Sequence, residues 1–453
     1  VPDFLFFSDE SEYDLNEIYG TKNKKYKVKG LIDILQSYKF TVTENTPIEE
    51  EVALDPELLG KVFENLLASY NPETQTTARK QTGSFYTPRE IVNYMVDESL
   101  IAYFNQKLAD AGIKEKESEI RELLSYSENP NPFNEHETKI LIQAIDACKI
   151  LDPACGSGAF PMGILHKLVH CLHKLDPKNE RWKKKQIDKV NTVDDSTLRE
   201  QLILDIVSAF ENNELDYGRK LYLIENCIYG VDIQPVAVQI AKLRFFISLI
   251  IDQKKQIQKD NFGIRSLPNL ETKFVAANTL ISLEKPSENS QLTLKNPDID
   301  KLENDLKKLR HKYFNAKTRK DKLTYQSKDK ELRNKISHLL ISDGWDTVSA
   351  NQIISFDPYN QNISNTFYDS EWMFGINDGF DIIIGNPPYL ESRHPSFNDN
   401  LKNLYQASSN KRWNEDASLI TRGSDLLIYF FEVSISLINS NGVIVLITQN
   451  AWL

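Results

Sequence analysis

Five short apolar runs decide what this chain can fold into: KILD (149–152), IYGVD (228–232), KFVAA (273–277), FDIII (380–384) and GVIVLIT (442–448). Each is too short for a helix, and each is apolar almost continuously rather than at alternate positions. Helical patterns lie between several of them, among them PMGILHKLVHCLHKL (161–175) and PVAVQIAKLRFFISLII (235–251). A strand that is apolar on both faces must be covered on both, which is the condition of a parallel sheet with helices packed above and below. The expectation is an α/β fold with a doubly wound, mostly parallel sheet. Two stretches, 176–226 and 282–357, break the alternation and are expected as insertions on that core. The second contains KLENDLKKLRHKYFNAKTRKDKLTY and reads as a helical hairpin.

Residues ahead of the sheet read mainly as helix. Asp55 and Pro56 open DPELLGKVFENLLASY with an acceptor at the N-cap and a proline at the first helical position. Thr87, Pro88 and Glu90 repeat that signal, with Thr87 as cap, Pro88 first in the helix and Glu90 as capping-box partner. Ile91, Val92, Met95, Val96 and Leu100 then follow at helical spacing. The division this suggests is a helical domain over 1–137, the first part of the core over 138–281, the helical insertion over 282–357 and the second part of the core over 358–453.

Bulk properties narrow the function classes. With 453 residues the chain is long enough for two or three domains. The longest apolar candidate for a membrane span, FFISLII (245–251), is cut off by AspGlnLysLys. Four cysteines without a CxxC pair argue for a reducing, cytoplasmic setting and against a disulfide scaffold or zinc ribbon. The net charge is −11, from 54 basic and 65 acidic residues, which as a whole does not suit a nucleic-acid binder. Residues 301–340, however, hold 13 Lys and Arg against 5 Asp and Glu. That excess is either a solvated helix face or a phosphate-contacting surface, with Lys307, Lys308, Arg310 and Lys312 foremost. His166, His170 and His173 come near one another at helical spacing, but they border the apolar stripe of Leu165, Leu168, Val169 and Leu172 and lack a carboxylate partner. They are read as core-flanking residues, and no metal is expected.

Two short motifs carry chemistry. DPACGSG (152–158) is a strand-to-helix turn whose glycines allow close approach of a ligand to backbone, and the helix beyond it offers free N–H groups to an anion. Asp152 ends one strand, and Asp232 ends the next, where an acidic side chain can accept hydrogen bonds from a ribose diol. Neither G-x-G-x-x-G nor a P-loop lysine is present there. The second motif is NPPY (386–389), directly after an apolar strand. Its prolines stiffen the backbone so that a carbonyl and the Asn386 amide oxygen can converge on a planar NH₂ group, and Tyr389 offers a ring on which a base can stack. Read without a ligand, the same corner is a stiff turn with a core tyrosine.

In order along the chain, TGSFYTP (82–88), DPACGSG, GVD (230–232) and NPPY resemble the gamma group of N6-adenine DNA methyltransferases. The resemblance is nearer to the methylase cores of type IIG restriction-modification enzymes and related phage-defence methylases, and it covers about 47–453. It implies S-adenosylmethionine lying against Gly83, Ser84, Phe85, Tyr86 and Thr87 and against Asp152, Pro153, Ala154, Cys155, Gly156 and Gly158. Asp232 would hold the ribose hydroxyls, Ile233 would lie against the cofactor's adenine, and Asn278 would stand near that adenine. Many relatives have Asp or a Gly-Asn pair there, whereas Ala277 precedes Asn278 here. Asn386, Pro387 and Tyr389 would bind an adenine flipped out of double-stranded DNA. The resemblance also places an aromatic motif and a target-recognition domain after Leu453, and because the first 80 residues show no nuclease constellation, any cleavage domain is expected ahead of Val1. The 453 residues alone are therefore expected to bind cofactor and methylate DNA poorly or not at all. Two alternatives stand beside this reading: a methyltransferase acting on RNA or on a protein glutamine, and a non-catalytic methylase-like module for DNA docking.

Overall fold

A five-stranded sheet organises the molecule, formed by β1 (Ile150–Asp152), β2 (Ile228–Asp232), β3 (Phe274–Ala276), β4 (Phe380–Gly385) and β5 (Ile438–Leu446). In this computed structural model the strand order is β3-β2-β1-β4-β5 and every pairing is parallel. The structure describes residues 87–191, 215–253, 266–283, 296–413 and 423–448, with short isolated pieces elsewhere. The helix expected from Pro56 and the residues Gly83, Ser84, Phe85 and Tyr86 lie outside them.

Alternation within each strand feeds two cores. Ile150, Ile228, Phe274, Ile382 and Ile384 share one core with α1 (Arg89–Asp110), α2 (Ala159–Leu175) and α3 (Pro235–Ile251). Their neighbours Leu151, Tyr229, Val275 and Ile383 share the other with α4 (Pro297–Phe314) and α5 (Arg319–Ser342), through Leu306, Ile336 and Leu340. The basic hairpin α4–α5 is thus the helical layer that covers the second face of the sheet, not an appendage outside the core. At the end of the stretch 176–226, the helix Leu215–Asn226 buries Leu223 and Ile224 completely and leads straight into β2.

Charge inside the hairpin is structural as well. Asp329, fully buried on α5, accepts from Arg310 Nε at 3.0 Å and from Arg333 Nε at 2.6 Å. Burial alone would raise its carboxyl, but the two guanidinium groups outweigh that and hold it below the usual carboxylate range. Arg310 is itself buried and also donates to the carbonyls of Trp372 and Met373. This corrects the expectation that Arg310 contacts phosphate, since its guanidinium is committed inside the protein. Lys307 and Lys308 are exposed and Lys312 is half-buried. Along α4, Lys307 and His311 wall a cavity of about 270 Å³ with Lys149, Asn226, Lys273 and Ile376. Those last four residues precede strands β1, β2, β3 and β4, so α4 runs beneath the amino-terminal edge of the sheet.

The histidines do not gather around a common centre. His170 Nε2 lies 2.8 Å from the Ser125 carbonyl, and His173 Nδ1 lies 3.3 Å from the Arg219 guanidinium. All four cysteines are buried, and none is in a disulfide. Among the described residues, no helix is long and apolar enough to cross a membrane.

Removing a buried charge that serves two buried partners leaves both uncompensated. Asp329→Ala should therefore lose about 3–5 kcal/mol of stability in a denaturant titration followed by circular dichroism. A loss below about 1 kcal/mol would mean the arginines reach solvent in the variant.

Candidate active site

The winding of the sheet reverses between β1 and β4, and at such a point the loops leaving the carboxyl ends part and open a crevice. Pairing of Ile150 with Ile382 and of Leu151 with Ile383 brings the ends of these two strands level. Asp152 and Gly385 consequently face each other, so closely that a Cβ on residue 385 would stand 2.7 Å from Asp152 Oδ1. Glycine at 385 is the residue that lets the Asp152 carboxyl sit there. Burial pushes that carboxyl well above its usual range, the hydrogen bond from Ala154 N–H pulls against this, and Asp232 adds to the rise. A cation placed beside it would draw it back to carboxylate.

The turn after Asp152 is held by its neighbours. Gly156 N–H donates to Asp232 Oδ2 at 2.9 Å, and Cys155 N–H donates to the Val231 carbonyl at 2.8 Å. The other Asp232 oxygen accepts from Gln234 N–H at 2.8 Å. From α3, buried Arg244 donates to the Ser157 carbonyl at 3.0 Å. Gly158 has φ +83°, and a Cβ there would come within 3.0 Å of Ala241 Cβ, so the turn can press against α3 only with glycine. No side chain caps the amino terminus of α2, which starts at the next residue. Among the described residues, the N–H groups of Ala159 and Phe160 have no side-chain cap, an arrangement that suits an anionic ligand. Burial pushes the Cys155 thiol up, so it offers no thiolate nucleophile.

Loops from β3 and β4 complete the edge. Ala277 N–H donates to the Asp232 carbonyl at 2.9 Å, and the Thr279 hydroxyl donates to the Pro153 carbonyl at 2.8 Å. Asn278 gives its Nδ2 to Tyr405 Oη at 3.2 Å and accepts from Leu280 N–H at 3.2 Å. Tyr405 belongs to helix α6 (Asp399–Trp413), whose Ser408 also accepts from Ser282 N–H at 3.0 Å, so α6 lies over the β3 loop. Ile233 is half exposed beside Asp232.

At the corner itself, Asn386 Nδ2 donates to Thr87 Oγ1 at 3.0 Å. The Tyr389 hydroxyl lies 2.8 Å from Asn386 Oδ1 and 3.0 Å from the Ile447 carbonyl, just beyond β5. Burial pushes the Tyr389 phenol up to about 12, so it stays a neutral donor. Ile447 N–H in turn donates to the Gly385 carbonyl at 3.1 Å. Thr87 does not cap α1, as its sequence context suggested: Pro88 occupies the N-cap position with no side-chain cap. The buried Thr87 hydroxyl serves Asn386 instead.

Asp152, Pro153, Ala154, Cys155, Gly156, Gly158, Asp232, Ile233, Asn278, Thr87, Asn386, Pro387 and Tyr389 therefore all lie on the loops and residues that meet at one edge of the sheet. Lys307, Lys308, Arg310 and Lys312 belong to α4, toward the opposite edge. Sequence reasoning missed Thr279, Tyr405 and Ile447, of which only Tyr405, an aromatic in a polar helix, carried any local signal.

Residues 226–453 match the Eco57I restriction-modification methylase family. A curated protein of Methanocaldococcus jannaschii, described as a putative type II restriction enzyme and methyltransferase, is 29% identical over 270 residues. The matched region is 59% of this chain and 20% of that relative's length.

Overpacking at the junction of the two motifs is directly testable. Gly385→Ala should cost about 1–3 kcal/mol in denaturant unfolding, and adding Asp152→Ala should recover most of it by vacating the space. Simple additivity of the two changes would show that the two side chains do not share that space.

Proposed function

Because the chain belongs to the Eco57I restriction-modification methylase family, we propose that it forms the catalytic core of an enzyme that methylates the exocyclic N6 amine of adenine in DNA, with S-adenosylmethionine as donor. The observation that carries this reading is the abutment of Asp152 and Gly385. It sets a glycine turn suited to a nucleoside-bearing ligand against a corner that presents an amide oxygen.

The residues fit the donor. The uncapped start of α2 suits the carboxylate of its methionine part, and the Asp232 carboxylate, at the end of β2 beside the glycine turn, suits ribose hydroxyls. The raised carboxyl of Asp152 suits a neighbouring positive charge. S-adenosylmethionine bound there would supply a sulfonium-bound methyl group, the carbon–sulfur bond breaking with its electron pair left on sulfur as the amine nitrogen takes the methyl.

The protein's own part is alignment. Asn386 Oδ1 accepts a hydrogen from the target amine, drawing the nitrogen toward tetrahedral geometry and freeing its lone pair. A second acceptor comes from the carbonyl side of the proline corner. The alkylated nitrogen then releases its surplus proton to solvent. An adenine stacked in a duplex cannot reach this corner, so the base must be flipped out, with Pro387 and the Tyr389 ring as its apolar support.

Asn386→Ala should lower methyl transfer by at least about 10³-fold while leaving the dissociation constant of S-adenosylmethionine within about threefold, read by isothermal titration and by mass spectrometry of digested DNA. Equal loss of binding and turnover would contradict the division of roles. The position of α4 generates a second expectation. Lys307→Gln, Lys308→Gln and Lys312→Gln together should leave the slope of log affinity for DNA against log salt unchanged. A flattening by about 1 per lysine would put DNA on the amino-terminal edge.

A further inference from the structure

The cavity beneath the amino-terminal edge of the sheet lies apart from the carboxyl-edge crevice, and methyl transfer makes no use of it. At about 270 Å³ it has room for about nine waters at liquid density, far more than a bare phosphate fills. Its wall holds five basic side chains, Lys149, Lys273, Lys307, Arg310 and His311, against the acids Glu225, Glu303 and Glu371. Two of the basic groups are matched, Arg310 by Asp329 at 3.0 Å and His311 by Glu225 at 2.6 Å. Among the described residues the three lysines have no ion pair. Lys149 gives its ammonium to the Asn226 carbonyl, and Lys273 Nζ stands 4.9 Å from the centre of the Tyr229 ring. Two more donors belong to side chains of the same wall. Arg310, 9% exposed, uses Nε and Nη1 but leaves Nη2 without a partner among the described residues. Trp372, 5% exposed, leaves Nε1 without one.

We propose that this cavity binds a small aromatic phosphate monoester, its phosphate toward Lys149 and Lys273 and its ring among Phe314, Trp372 and Phe374. Three ammonium groups without an acid suit a dianion better than a carboxylate, and a phosphate monoester carries close to two charges at neutral pH. Lys149 and Lys273 immediately precede β1 and β3, on either side of β2, so the sheet itself sets their positions. The rings of Tyr229 and Phe374, 5.0 Å apart, extend an apolar wall that includes Phe314 and Trp372. Burial pushes the Lys273 ammonium down to about 8; Glu225 and Cys227 oppose the fall, while Lys149 and Arg310 add to it. Lys307, His311 and Glu303 on α4, and Glu371 ahead of β4, complete its charged surroundings. A dianion beside Lys273 raises that value again, so the bound state has the higher pKa and the free state the lower. Binding therefore takes up a proton near pH 8 and weakens as pH rises above it. Neither cofactor nor DNA is needed for this site, which stands or falls apart from the methyltransferase reading.

The test titrates phenyl phosphate into the protein by calorimetry, with benzoate, phenol and inorganic phosphate as comparisons. Phenyl phosphate should bind at pH 7 with a dissociation constant of about 1 mM or below. Each of the other three should bind at least about tenfold more weakly. At pH 8, heats measured in buffers of differing ionisation enthalpy should show proton uptake by the protein on binding phenyl phosphate. Lys273→Met should abolish that uptake and weaken binding about 10- to 100-fold. Lys149→Met should weaken binding by a similar factor, and it carries the test together with the uptake should Lys273→Met fail to fold. Asn386→Ala, at the other edge of the sheet, should keep the affinity within about twofold. The proposal is overturned if the unaltered protein binds no phenyl phosphate, or binds inorganic phosphate or benzoate as tightly. Absence of proton uptake at pH 8 overturns it too, as does a loss in Asn386→Ala as large as in the lysine variants.

Discussion

One three-residue strand is shared by both halves of the site, and the rest follows from that sharing. β1 pairs with β2 on one side and β4 on the other, in parallel on both. Residues leaving β1 therefore enter the gap where the loops of the two halves part, and Asp152 has nowhere to go except against Gly385. Moving β4 by one residue would put a side chain where Gly385 now is and turn its core residues to the wrong face. The apolar sets of β4, split between two cores, lock that register. Hydrophobic packing on both faces is thus what aligns two motifs separated by more than half the chain.

Electrostatics at the junction run against folding. A buried carboxyl with a single backbone donor is poorly compensated, and the rise of the Asp152 carboxyl is the direct expression of that cost. Asp329 is the instructive contrast. It is as deeply buried, but two guanidinium groups keep it below the usual carboxylate range. The fold plainly can provide cations for a buried acid, and in the hairpin it does.

The sheet was legible in the sequence because continuous apolar runs admit few other arrangements, and NPPY was legible because glycine and proline act on the backbone locally. The link between Thr87 and Asn386 was not. Thr-Pro-Arg-Glu fits a helix cap so well that local pattern favours capping, and a hydroxyl that caps and a hydroxyl that reaches across the fold look alike in sequence. The hairpin misled for a related reason. Periodicity showed that α4 and α5 each have an apolar face but not what it covers, and the excess of lysine and arginine drew attention to a ligand. In the structure the apolar face covers the sheet, and Arg310, counted among the candidate phosphate contacts, is bound to Asp329. Tyr389 was read for its ring, while its hydroxyl ties Asn386 to the end of β5.

Two kinds of support meet at the carboxyl edge, and they differ in stiffness. The glycine turn and the proline corner are fixed by backbone groups: Asp232 to Gly156 and Gln234, Cys155 to Val231, Ile447 to Gly385. Such bonds join elements that are already held by the sheet, so the positions they set exist before any ligand arrives, which is the condition for preorganised alignment. The β3 loop is likewise tied by backbone groups, Ala277 to Asp232, Asn278 to Asn365 and Tyr368 to Ile281, and side chains of α6 add bonds from above, through Tyr405 on Asn278 and Ser408 on Ser282. Single side-chain bonds between polar groups contribute about 1 kcal/mol each and open at little cost. The backbone bonds that set Asp152 beside Gly385 thus do not depend on the side-chain bonds made by α6.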